Sequence, residues 1–94
     1  MQQYRNRLRI ISDVLSVAMN SSSEGGASPS VLMRRSNLSW RGLEQLLSQL
    51  LSAGLLLEKQ EDKSVRYVVS AKGAEYLAHY QSFETFTESY GLHL

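Results

Sequence analysis

With 94 residues, 43% of them hydrophobic and 20% charged, the chain has material for one domain around one core, which argues against wholesale disorder. Cysteine is absent, which excludes disulfides and thiolate metal sites and fits a reducing intracellular compartment. No apolar run nears the roughly 20 residues a bilayer crossing needs. The polar start "MQQYRNRLRI" has no signal-peptide core, so a soluble cytoplasmic protein is expected.

Net charge is only +1, but it is unevenly spread. Residues 1–42 carry six arginines against Asp13 and Glu24, a balance of +4, while residues 43–94 carry four basic and seven acidic side chains, a balance of −3. Every arginine except Arg66 lies in the first half, which points to one positively charged face.

The first predicted element is a helix over Tyr4 to Met19. Tyr4, Leu8, Ile11, Val14, Leu15 and Ala18 recur in steps of three and four and form one apolar stripe. "NSSSEGGAS" follows without periodicity and is expected to be a loop, and a mobile one. Ser28 then reads as an N-cap with Pro29 at the first helical position, where its missing N–H costs nothing. This short second helix carries Val31, Leu32, Arg34 and Arg35 and ends near Ser36-Asn37. Ser39 caps a third helix whose inner stripe is Leu43, Leu46, Leu47 and Leu50, closed by Ala53-Gly54. Two helices so closely spaced are a helix-turn-helix signal.

"LLLEKQ", "EDK" and "SVRYVVS" read as strand, turn and strand, and Ser70 caps a last helix reaching about Tyr90 before Gly91. The fold class is therefore mainly α (α+β). Its order, α-α-α-β-β-α, is that of a winged helix-turn-helix, with residues 1–70 as the winged-helix unit and 71–94 as a C-terminal helix of the same domain.

Catalytic constellations are missing from the sequence. His79 and His93 have no converging partners at metal-ligand spacing, and nucleophile elbows, phosphate loops and dinucleotide fingerprints are absent. No enzyme activity and no cofactor are expected.

The outward side of the third helix is more informative. It holds Ser39, Trp40, Arg41, Gln45, Ser48, Gln49 and Ser52, and Glu44 is the only carboxylate between Asn37 and Leu57. Arginine can bond guanine bidentately and glutamine can do the same to adenine. Arg41 and Gln45, spaced i, i+4, would reach neighbouring base pairs. The plainer reading of these residues is a polar solvent face. Trp40 either packs over the turn or offers its indole N–H to a phosphate. Arg34 and Arg35 complement the helix dipole and also lie where phosphates would run; Arg5, Arg7 and Arg9 are weaker candidates. In the wing, Lys63 and Arg66 are candidate phosphate contacts. Glu58, Glu61 and Asp62 beside them predict modest, salt-sensitive binding.

In the last helix Tyr76, Phe83 and Tyr90 recur every seven residues, Tyr80, Thr87 and Leu94 follow each by four, and Phe86 adds to that side. The plainer reading, a helix folded back onto the monomer core, suits Tyr76 and Leu77; one projecting helix cannot bury so many aromatics alone, so the stripe is expected to be a homodimer seam.

The pattern "NLSW..LEQLLSQLLSAGLLLEKQ....VRYVVSAKGAEYL" resembles the small archaeal winged-helix DNA-binding proteins of the Sulfolobus 10a type. The shared features are Asn37, Leu38, Ser39 and Trp40 opening the third helix, then Tyr67, Ser70, Lys72 and Gly73 after the wing, within about Leu8 to Tyr80. The resemblance implies an intracellular, nucleoid-associated protein that binds double-stranded DNA and dimerises through its C-terminal helix as an antiparallel coiled coil. A transcriptional regulator is the expected role. The alternative is a winged helix serving as a protein-interaction module in a larger assembly, supported by the near-zero net charge and the acidic wing.

Overall fold

Short polar side chains decide where the helices begin. Asn6, Ser28, Ser39 and Ser70 each accept the backbone N–H three residues on, from Arg9, Val31, Gly42 and Gly73 at 2.9–3.3 Å. Each cap satisfies one of the amides that a helix start leaves unpaired. In the computed structural model, which describes residues 6–92, these caps open α1 (Arg7–Asn20), α2 (Pro29–Arg35), α3 (Trp40–Ser52) and α4 (Ala71–Glu88). Between α3 and α4 lies an antiparallel hairpin of β1 (Leu56–Glu61) and β2 (Ser64–Val69). The expected order α-α-α-β-β-α is the observed one. Tyr4 and Arg5 at the predicted helix start, and His93 and Leu94 at the end, lie outside the described residues.

The helix ends are equally local. After α2, Asn37 adopts a left-handed backbone (φ 55°), its N–H bonding the Arg34 carbonyl while the Leu38 N–H bonds that of Met33. The same pair of bonds closes α3 around Gly54 (φ 77°), from Gly54 to Leu51 and from Leu55 to Leu50. Asparagine tolerates this conformation better than most side chains, so the tight turn between α2 and α3 needs no glycine. At the end of α4 the Gly91 N–H reaches Glu88 and the Leu92 N–H reaches Thr87, which matches the expected stop at Gly91.

The core gathers the predicted stripes. Val14, Leu15 and Ala18 of α1, Leu32 of α2, and Leu43, Leu46, Leu47 and Leu50 of α3 meet Leu56, Tyr67 and Leu77. Fully burying one such leucine contributes roughly 1.5–3 kcal/mol, so this cluster, not helix propensity, fixes how α3 is held.

The segment "NSSSEGGAS" is more ordered than its composition suggested. Ser22–Glu24 form a 3-10 turn, and Ala27 then pairs with Tyr67, each N–H bonding the other's carbonyl at 2.9 Å. Ala27 thus adds a one-residue strand to the free edge of β2. Gly26 makes this possible: its φ is +113°, and a Cβ there would sit 2.8 Å from the Tyr67 carbonyl oxygen.

Candidate nucleic-acid interface

With its leucines facing inward, α3 turns Arg41, Gln45, Ser48 and Ser52 to solvent along one stripe, flanked by Gln49 on one side and Glu44 on the other. The helical period brings these residues together: steps of three, four and seven keep one heading while the chain advances. The Ser39 hydroxyl oxygen is occupied as the N-cap of α3, which leaves its O–H as a donor. Trp40 is 50% exposed at the first turn of α3. Arg34 and Arg35 are exposed at the end of α2, and neither they nor Arg41 has an ion-pair partner among the described residues.

The wing divides its cations. Lys63 is exposed at the tip beside Glu61 and Asp62, whose backbone is left-handed (φ 49°). Arg66 is half-buried and donates to the Gly26 carbonyl at 3.2 Å, so it braces the loop before α2. Arg66 is also a candidate phosphate contact, and this bond uses one of its five N–H groups. Lys59 sits directly opposite Arg66 in the ladder, a like-charge pairing that the bond to Gly26 offsets. Tyr67 donates to Glu58 at 3.5 Å. Burial first, then the charge and hydrogen bond of Glu58, push its phenol above the ordinary value.

The aromatic stripe of α4 splits in two. Tyr80 is 7% exposed and Thr87 is buried, both within the chain, and Tyr76 is half-buried with its hydroxyl donating to the Leu8 carbonyl at 3.5 Å. Only Phe83, Phe86 and Tyr90, at 49%, 59% and 68% exposure, are left facing outward. Phe86 and Tyr90 meet edge to face at 5.3 Å between ring centres. The division arises because α1 packs against one flank of α4 and Arg9 ties the two together, bonding Glu84 at 3.2 Å and lying 3.9 Å from Asp13. A heptad spacing names residues on one side of a helix. It does not say what covers that side.

Among the described residues there is no cluster of metal-ligating side chains, and no helix is long and apolar enough to cross a membrane.

This arrangement, a tight helix-turn-helix followed by a two-stranded wing, agrees with the family comparison. The sequence matches the winged helix-turn-helix family over residues 4–88, and the chain belongs to that family. A comparison with curated protein sequences finds no match. Among solved structures, it resembles Sso10a-2, described as a DNA-binding protein from Sulfolobus solfataricus. The identity is 21% over 90% of this chain and 84% of that one, with a TM-score of 0.77. It also resembles AF1382 from Archaeoglobus fulgidus, at 11% identity over 88% and 91% of the two chains and a TM-score of 0.70. A third similar structure is AdcR, a zinc-dependent transcriptional regulator of the MarR family, at 17% identity and a TM-score of 0.55. There the match covers 95% of this chain and 62% of the other. At these identities the likeness is one of fold. It bears out the resemblance drawn from the "NLSW" and "SAKG" segments.

The structural work of that second segment was not visible in the sequence. Gly73 is required because a Cβ would lie 2.2 Å from the Leu55 carbonyl oxygen, and Lys72 donates to the Ala53 carbonyl at the end of α3. These residues clamp α3 to α4. Close glycine packing of this kind leaves no periodic signal.

Proposed function

We propose that the chain binds double-stranded DNA as a transcriptional regulator, laying α3 in the major groove. The observation that carries this reading is the stripe Arg41–Gln45–Ser48–Ser52, exposed along one helix, with Glu44 the single carboxylate in the sequence from Asn37 to Leu57. Membership of the winged helix-turn-helix family supports it, as does the DNA-binding description of Sso10a-2. Arg41 and Gln45 read base edges, with Gln49 one turn further on. Ser39 donates its free O–H to a phosphate, Trp40 packs against the sugar-phosphate backbone, and Arg34, Arg35 and Lys63 neutralise phosphates on either side. A second copy joins through the outward aromatics of α4, giving a two-fold dimer that presents two α3 helices to one duplex.

The test is a salt series of binding to duplex DNA by the wild-type chain and by Arg41→Ala with Gln45→Ala. Binding that weakens steeply with salt, and is lost in the double variant, supports the proposal. Absence of binding at about 50 mM salt would overturn it. That result would instead favour a protein-interaction module, the reading suggested by Glu61 and Asp62 at the wing tip.

A further inference from the structure

The three arginines at the start of the chain looked alike in sequence, but the fold separates them. Arg5 lies outside the described residues, and Arg9 is held by Glu84 and Asp13. Arg7, at the first turn of α1, is exposed and has no carboxylate partner among the described residues. It stands on the rim of an open cleft of about 370 Å³ between α1 and α3. Ile10 and Leu46 line that cleft with Leu38 of the turn, and Gln45 and Gln49 form its opposite wall. No carboxylate lines it.

We infer that this cleft is the track for one strand of the duplex, with Arg7 as its phosphate ligand. The inference rests on α3 reading the major groove and extends the contact surface to a helix outside the helix-turn-helix. Charge complementarity selects the occupant. A polyanion gains from an unpaired guanidinium in a cleft free of carboxylates, because Arg7 gives up no internal ion pair to bind it. The apolar lining suits the face of a deoxyribose, while the two carboxamides on the far wall can turn from backbone oxygens to base edges. The same cleft explains why Gln49, off the centre of the outward stripe, belongs with the contact residues: it faces the strand that Arg7 holds. Arg7 then fixes position without reading sequence, since phosphates are the same beneath every base.

The experiment measures affinity for duplexes of differing sequence across a salt series, for the wild type, Arg7→Ala and Arg7→Lys. Thermal melts check that the exposed substitutions leave the fold intact. Arg7→Ala is expected to weaken binding to all duplexes alike. It should also reduce the slope of log affinity against log salt by about 1, so that a fourfold rise in salt costs it roughly three- to fourfold less affinity than it costs the wild type. Arg7→Lys keeps the wild-type slope. If Arg7→Ala retains both affinity and slope while Arg41→Ala with Gln45→Ala abolishes binding, the track is wrong and α3 as reader survives. If the wild type itself binds no duplex, both fall together.

Discussion

The Ser70 hydroxyl donates to the Gly54 carbonyl at 2.6 Å, joining the end of α3 to the start of α4 across 16 residues. The same oxygen accepts the Gly73 N–H at 3.0 Å, and the Ser70 N–H bonds the Leu55 carbonyl at 3.1 Å. One serine therefore caps α4 and anchors the chain where α3 turns into the wing. Ser70→Ala is expected to lower unfolding free energy by about 1–2 kcal/mol, the combined loss of a cap and a half-buried hydrogen bond. Gly73→Ala should cost more, about 2–3 kcal/mol, because backbone and not a mobile side chain meets the new methyl group. Urea unfolding curves decide the order. Equal midpoints for Gly73→Ala and wild type would refute the clamp.

Arg66 and Lys63 make a contrasting pair in the wing. Lys63 is exposed at the tip, whereas Arg66 is half-buried and bonds the Gly26 carbonyl through one N–H. Lys63→Ala should leave stability within about 0.5 kcal/mol of wild type and reduce the salt slope of DNA binding by about 1. Arg66→Met should do the reverse, destabilising by about 0.5–1.5 kcal/mol through the lost bond while the salt slope stays unchanged. Parallel melting and salt-dependent binding of the two variants separate these roles.

The features that were legible in the sequence share a cause. Ser28, Ser39 and Ser70 declare helix starts because a cap involves residues three apart, and the leucines of α3 declare an inner face because the helical period is local. What stayed hidden depends on contacts between distant segments. Ala27 pairs with Tyr67 across 40 residues as a single bridge, too short to leave an alternating pattern. Arg66 could not be assigned inward without knowing that Gly26 lies beside it. How far the fold-back of α4 extends is not legible in its heptad spacing, because the sequence does not show that the core takes Tyr80 and leaves Phe83.

The tyrosines make the fold sensitive to base. Burial raises the phenol pKa of Tyr80 above its ordinary value of 10.0, helped by the charges of Glu84 and Asp13 and opposed by Arg9. Burial does the same for Tyr76 and Tyr67. Between 10.0 and the raised value the unfolded chain has lost a proton that the folded chain keeps, so stability falls as pH rises through that window and is fully present below it. Tyr80→Phe should flatten part of this loss. At neutral pH its effect should be small, since the buried Tyr80 hydroxyl makes no well-formed hydrogen bond and has only the Arg9 guanidinium near it. Denaturant midpoints at neutral pH and above pH 10.0 test both statements. A Tyr80→Phe variant weaker at neutral pH would show that the hydroxyl has a partner worth keeping.

The proposed dimer has fewer residues to draw on than the heptad spacing implied. Phe83, Phe86 and Tyr90 are each about half to two-thirds exposed. A ring side chain buries about 150–250 Å², so these three offer roughly 300 Å² per copy and about 600 Å² per pair. Stable interfaces bury about 1,200–2,000 Å². A proposed dimer resting mainly on these three rings should accordingly be weak and concentration-dependent, assembling in the micromolar range and tightened when DNA holds two copies side by side. Sedimentation of the wild type should show monomer giving way to dimer as concentration rises, and Phe83→Glu with Phe86→Glu should remain monomeric with an unchanged melting curve. Tyr80→Glu is the contrasting variant: it buries a carboxylate against α1 and should unfold the chain instead of merely separating copies. A wild type that stays monomeric up to high micromolar concentration, alone and on duplex DNA, would remove α4 as a dimer seam and leave its aromatics facing a different partner.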